Sequence, residues 1–369
     1  MTKSFFVPGR LKMARQRIGY TMTRLAVESD VSLRSLTGYE NDEQVPSEET
    51  LAKLASILNV RPAFFAREAL DSIPVASVSF RKLTKTSAIK REAVLASARL
   101  GLTFAAEIEA KFRLPEVQVP TLDKFNPELS AEMLRQRWDL GSRPISNMVH
   151  LLESRGVRIL AITTDHNEID AFSFWRDEVP YIFLNTAKSG ERQRFDAAHE
   201  LGHLILHADQ DLATSDSKER ESQANAFAAS LLMPRDGVLG QSMSEPSIER
   251  ILAAKQYWRV SAMALTHRLH ELRLMGDWTY RTTCQTLSER GYRSSEPGGI
   301  VPENSQLLKK VLFMSQNKLS LRDTAAALDI HPDELRGFLT GLVPVSALPH
   351  LVATSAPVDT LSPWPTRTI

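Results

Sequence analysis

Residues 194–234 read RFDAAHELGHLILHADQDLATSDSKERESQANAFAASLLMP, and the rest of the chain is organised around them. Within this stretch His199-Glu200-Leu201-Gly202-His203 is an HExxH. On a helix, side chains four apart lie on one face, so His199 and His203 can grip a single metal ion. Glu200 sits about 100° round the helix, close enough to touch a metal-bound water without replacing a ligand. Zinc held by neutral imidazoles brings the pKa of its water to about 7, and a carboxylate beside it can take the proton. That is the minimum apparatus for metal-assisted amide hydrolysis.

A catalytic zinc wants three protein ligands and one open position. His207 continues the spacing, but residues at i, i+4 and i+8 span about 12 Å of helix, too far for ligands about 2 Å from one ion. The third ligand must come from another element, and the next helix offers Glu219 and Glu221. Asp216 reads as its N-cap and Glu219 completes a capping-box-like pattern. Glu221 instead extends the apolar stripe Ala224, Phe227, Ala228, Leu231, and a carboxylate on a buried face needs a cation partner. Glu221 is therefore the expected third ligand. The plainer alternative is two surface histidines on an ordinary helix. Against it, Ala198, Leu201, Leu204, Ile205 and Leu206 make this helix apolar almost all round, so its polar groups are buried and need a reason. Gly202 costs helix propensity and implies another backbone passing close by.

At 369 residues with 43% apolar content the chain has material for two or three domains. A net charge of +1 gives no global field toward nucleic acid or membrane, so any such surface is local. Cys284 is the only cysteine, which excludes an intrachain disulfide and fits a reducing cytosol. The N-terminal residues lack the apolar core of a signal peptide, and no apolar run is long enough to span a membrane. A cytoplasmic protein without membrane partners is expected.

Residues 9 to about 67 read as five short helices. Leu25 and Ala26 lie on a helix that stops near Asp30, Val31 marks a tight turn, and Ser32 caps a helix carrying Leu36 and Tyr39 inward. Ser47 caps a further helix with the stripe Leu51, Leu54, Ala55, Leu58. Two helices joined by a short turn form a helix-turn-helix. Through Leu25-Ala26, Val31-Ser32, Glu40-Asn41 and VPSEETLAKLASILNV the segment resembles the Xre/Cro-type DNA-binding domain. The resemblance implies that the second helix enters the major groove of duplex DNA, with Ser32, Leu33, Arg34, Ser35 and Thr37 as the contact residues and Gly38 farther along. Arg34 is the one able to make a bidentate contact to guanine, and Leu33 suits a thymine methyl. Where that family usually has glutamine at the start of the first motif helix, this chain has Met22. A helical protein-interaction domain is the other reading.

Arg81, Lys82, Lys85, Lys90 and Arg91 form a basic run that reads either as a phosphate-following segment or as a solvated linker. Helices follow at about 87–111, 130–138 and 147–155, with Pro115, Pro120 and Pro127 breaking the stretch between the first two. Then GVRILAIT, IDAFSFW and PYIFLN read as a small antiparallel sheet, and Ser189-Gly190-Glu191 caps the motif helix. IDAFSFW or PYIFLN would be an edge able to hold an extended peptide by backbone pairing.

GVRIL, DAFSFW, PYIFLN, RFDAAHELGHLILH and ESQANAFAASLLMP together resemble the ImmA/IrrE family of metallopeptidases, and LAAKQYWRVSAMALTHRLHELRLM and RGYRSSEP are similar to its regulator-type members with an N-terminal Xre domain. The resemblance runs from about Pro8 to Pro297. It implies a cytosolic gluzincin-like zinc endopeptidase acting on Xre-type repressors, one zinc per chain on His199, His203 and Glu221, and Glu200 as general base. For the oxyanion, His207 and Tyr181 are candidates, each with a structural role as the alternative.

Beyond Pro234, helices are expected at 247–256, 261–272 and 278–290, with Tyr257-Trp258 in the core. Residues 294–299 read as a linker, and the helix-turn-helix-like segment 307–342 as a protein-docking module or a second DNA reader. The expected class is α+β, mainly helical. Its parts are 1–70 a helix-turn-helix domain, 71–125 a basic linker and helices, and 126–245 a zincin-like domain with its sheet packed on the HExxH helix. Then come 246–297 a helical extension, 298–345 a C-terminal helical module and 346–369 a flexible tail. Two functions fit: a DNA-binding regulator that also cleaves a repressor or antitoxin-like partner, or a DNA-binding regulator whose zinc domain is a non-catalytic sensor or scaffold. A homodimer is compatible with either.

Overall fold

The computed structural model describes residues 6–70, 73, 87–162, 169–208, 217–314 and 318–344. Arg81, Lys82, Lys85, the expected Asp216 cap and the tail beyond 344 lie outside the described residues. Among the described residues the fold is mainly helical with one small sheet.

The N-terminal unit comprises α1 (Pro8–Arg17), α2 (Met22–Ser29), α3 (Leu33–Glu40) and α4 (Glu48–Ile57). Its fifth element is a 3-10 helix, Pro62–Ala66, flanked by extended residues at Arg61 and Arg67. Side-chain oxygens of Thr21, Ser32 and Ser47 accept from the backbone N–H of Arg24, Ser35 and Thr50, starting α2, α3 and α4. Leu11, Leu25, Leu36, Leu54, Leu58 and Phe64 close the core, and Arg15 ties α1 to α3 through Glu40 at 2.7 Å.

α5 (Ala88–Lys111) packs against α1 on one side. At Gly101 a Cβ would meet Phe183 at 2.9 Å and Leu160 at 3.2 Å, so glycine lets the sheet close on this helix. α6 (Pro127–Arg137) starts three residues earlier than its sequence suggests: Asn126 caps it, and Pro127 occupies the first turn, where its missing N–H costs nothing. α7 (Met148–Ser154) leads into β1 (Arg158–Ala161), β2 (Ala171–Arg176) and β3 (Val179–Leu184).

The sheet is mixed, which corrects the antiparallel expectation: β2 and β3 pair antiparallel, but β1 and β3 pair parallel, in the order β1-β3-β2. Strand direction alternates along the chain as a meander would. Asp177 and Glu178, both at positive φ, close a two-residue hairpin. The hairpin inserts β3 beside β1 because VPYIFL is buried on both faces, as a central strand must be. IDAFSFW is thus the edge.

α8 (Gly190–Leu206) carries the HExxH and is buried along nearly its whole length; Ser189 caps it and Glu191 sits in its first turn. α9 (Ser217–Leu232) packs along it. Gly202 is a point of close approach, with a Cβ there 3.3 Å from the Ala224 backbone and 3.0 Å from Phe227. α10 (Arg235–Leu239), α11 (Ile248–Trp258), α12 (Ala262–Glu271) and α13 (Asp277–Glu289) follow. Trp258 is fully buried, whereas Tyr257, expected beside it in the core, is half exposed.

The segment after α13 is anchored across α8 by buried ion pairs: Lys255 lies 3.3 Å from Glu191 and 3.0 Å from Glu296, and Arg194 pairs with Glu303. It leads to α14 (Gln306–Lys309), a π turn at Lys310–Met314, α15 (Leu321–Ala327) and α16 (Pro332–Gly337). Phe338 stacks on Phe104 of α5, and its carbonyl accepts from Ala161 N–H of β1 at 2.9 Å. Among the described residues no helix is long and apolar enough to cross a membrane.

Candidate metal centre

The 3.6-residue period stacks His199 and His203 on one face of α8, and their Nε2 atoms lie 3.1 Å apart. Glu221, from the first turns of α9, reaches across: its oxygens stand 3.4 Å from His199 Nε2 and 3.3 Å from His203 Nε2. Ligands at about 2.0–2.1 Å around a tetrahedral ion stand about 3.3–3.4 Å from one another. The three donors therefore have the separations of a tetrahedral face, and these residues could hold a metal ion. Glu219 is exposed and bonded to Gln223 at 3.2 Å.

The rings are held from behind. His199 Nδ1 lies 3.1 Å from Asn225 Oδ1, and His203 Nδ1 lies 3.0 Å from His207 Nδ1. His207 Nε2 in turn meets Gln223 Oε1 at 2.9 Å. A partner on Nδ1 fixes the tautomer and leaves Nε2 for the ion. His207 thus sits behind the donor cluster.

Glu200 is buried among Ser173, His199 and the sheet. Ser173 Oγ donates to Glu200 Oε2 at 2.7 Å, leaving Oε1 uncommitted to it. Burial pushes the Glu200 carboxyl up to about 8, against the pull of His199 and the Ser173 hydrogen bond. Burial pushes His203 down to about 3, so it is neutral as a ligand must be. On Glu221 burial acts upward, but hydrogen bonds to both histidines outweigh it and take the carboxylate down to about 2.

Ser173 and Trp175 share the face of β2 that meets α8; Trp175 Nε1 donates to the Leu204 carbonyl at 2.9 Å. Tyr181 pairs with Phe174 in register, stacks on it at 5.8 Å and so lies on the opposite face, away from Glu200. Tyr181 is not part of this cluster. Ser173, Asn225 and Gln223 are the members that sequence spacing does not flag, since an alternating strand marks Ser173 only as inward-facing. A cleft of about 870 Å³ shares Asn225 with the centre and is walled by Arg192, Phe195, His267 and Arg293.

On α3, Leu33, Arg34 and Thr37 are exposed, Ser35 is half-buried and Gly38 is buried under Gln44. The hydroxyls of Ser32 and Ser35 pair at 2.8 Å, and Thr37 donates to the Leu33 carbonyl at 2.8 Å. Arg34 and Leu33 are the two of the five with side chains not turned back onto the helix by these bonds.

A helical domain with two consecutive short helices at a tight turn, joined to a sheet-backed HExxH helix with a glutamate from the next, defines a regulator-type chain with a metallopeptidase-like domain. Residues 152–270 match the IrrE N-terminal-like domain and residues 11–65 the helix-turn-helix family model. The chain is similar to the radiation response metalloprotease IrrE of Deinococcus radiodurans, 37% identical over 94 residues, covering 19% of this chain and 29% of that protein. It is also similar to the HTH-type transcriptional regulator ImmR of Bacillus subtilis, 41% identical over 51 residues, covering 14% of this chain and 40% of that protein. The matched stretches thus span well under half the length of either relative. The chain thus carries an IrrE-like domain of the ImmA/IrrE type at residues 152–270 and a helix-turn-helix domain at residues 11–65.

Proposed function

We propose that the protein is a cytosolic, DNA-binding regulator that is also a zinc-dependent endopeptidase, with an Xre-type repressor or antitoxin-like protein as its substrate. The observation that carries the reading is the convergence of His199, His203 and Glu221 beside a buried glutamate that Ser173 holds by one oxygen. His199, His203 and Glu221 would hold a zinc ion, which would supply Lewis acidity. With the cation's charge beside it keeping the carboxyl ionised, Glu200 would take the proton of the attacking water at Oε1 while Oε2 stays on Ser173, and return it to the leaving amine. Asn225 and His207 hold the two rings so that neither turns its Nε2 away. Among the described residues β2 has no strand on its outer side, so an extended substrate can pair along it beside Ser173 and Glu200.

Elemental analysis of protein purified without added metal should give about one zinc per chain, and His203→Ala should lose most of it. Glu200→Gln should keep the metal and lose about 10²–10⁴ in cleavage rate on an Xre-type repressor. Loss of metal in the glutamine variant would contradict the role given to Glu200. Full zinc occupancy without cleavage of any such partner would favour the sensor or scaffold reading.

A further inference from the structure

The C-terminal module repeats the end of the N-terminal domain. Leu58-Asn59-Val60-Arg61-Pro62 and Leu328-Asp329-Ile330-His331-Pro332 each follow a helix, and in each the second residue is left-handed, φ 53° at Asn59 and 55° at Asp329. The closing hydrogen bonds are the same: Val60 N–H to Ala55 carbonyl and Ile330 N–H to Ala325 carbonyl, both 3.0 Å. In each, proline then opens the next helix. Buried Leu51, Ala55, Leu58, Val60 and Phe65 correspond one by one to buried Leu321, Ala325, Leu328, Ile330 and Leu335.

These two copies face each other. Val60 forms an antiparallel bridge with Ile330, its own counterpart, and Arg61 N–H donates across to the Asp329 carbonyl at 3.0 Å. Contact between equivalent residues around a central pair is the geometry of a two-fold, isologous interface. Backbone pairing of this kind is self-complementary, so the same edge of another chain meets its geometric demand equally well.

The side chains favour the internal partner. Arg67 reaches Asp329 at 2.6 Å, Arg17 pairs with Glu334, and Asn59 Nδ2 donates to Glu334 Oε1 at 3.2 Å. The N-terminal copy has Asn59 and Phe64 where the C-terminal one has Asp329 and Glu334. Pairing of two N-terminal edges would therefore bring Arg17 and Arg67 to a surface without those acids.

We propose that residues 321–343 stand in for a second helix-turn-helix domain, sealing in cis an edge at Leu58–Pro62 through which two copies of this chain otherwise pair. The sealed protein is a monomer with one reading head; release of the module makes it a dimer with two.

Sedimentation of the full-length chain tests this. Wild type should be monomeric. Asp329→Lys with Glu334→Lys, facing Arg67 and Arg17, should self-associate at least tenfold more tightly. The neutral, near-isosteric pair Asp329→Asn with Glu334→Gln guards against misfolding and should shift association the same way. Arg61 is extended and precedes a proline, so Arg61→Pro removes the cross-edge N–H without disturbing the local path; added to either pair, it should restore the monomer. Variants that stay monomeric although trypsin now cuts at Arg322 would overturn the proposal. So would dimers indifferent to Arg61→Pro.

Discussion

Ser173 has one measurable duty: it keeps Glu200 Oε2 occupied so that the other oxygen has a fixed direction. Ser173→Ala should leave zinc content unchanged and lower kcat about tenfold, less than loss of the base itself, because proton transfer depends on geometry. A variant with unchanged kcat would make Ser173 a packing residue only. Arg34 is argued at the same scale. With the hydroxyls of Ser32, Ser35 and Thr37 engaged on their own helix, Arg34 is the side chain we propose reads a base, and Arg34→Ala should cost about 1–3 kcal/mol at the preferred site and relax one base pair. Equal losses on specific and random duplexes in a filter-binding titration would reduce it to a phosphate contact.

At the scale of elements, the candidate centre depends on how closely α8 and α9 approach, since two of the proposed ligands ride on one helix and the third on the other. Gly202 sets that distance. Gly202→Val puts branched atoms against Ala224 and Phe227, and should destabilise the fold by about 1–3 kcal/mol while weakening metal retention in a chelator competition. Thermal melts with and without zinc separate the two effects; equal metal affinity would mean that α9 shifts without carrying Glu221. Both helices and the Ser189 cap of α8 were readable in advance, because helical spacing and an apolar surround are local signals. What was not readable depends on distant pairing. Nothing in VPYIFL alone tells that it inserts beside β1, Pro127 reads equally as a break or a first turn, and Ser173 matters through a residue in another element. The C-terminal module is the same case, since a docking segment does not name its partner.

For the molecule as a whole, Glu153 of α7 is a buried junction: it accepts from Ser305 Oγ and from the N–H groups of Gln306 at 3.0 Å and Leu307 at 3.1 Å, fastening α14. Burial pushes its carboxyl above the ordinary value of 4.5, against the hydrogen bonds from Ser305, Leu307 and Gln306. A group whose folded pKa is raised contributes stability that is complete below its unfolded value and lost as pH rises through the folded one. Wild type should therefore lose stability relative to Glu153→Gln as pH climbs from about 4.5, and parallel melting curves across that range would contradict the assignment. The meeting of Val60 with Ile330 also has a consequence in time. At about 5–20 residues per second, synthesis separates their emergence from the ribosome by roughly a quarter of a minute to nearly a minute. Through that interval the edge has no partner on its own chain, and under the proposed self-pairing it would meet the same edge on a neighbouring nascent chain of one polysome. Slower translation of the intervening stretch should therefore raise the share of molecules that are born paired.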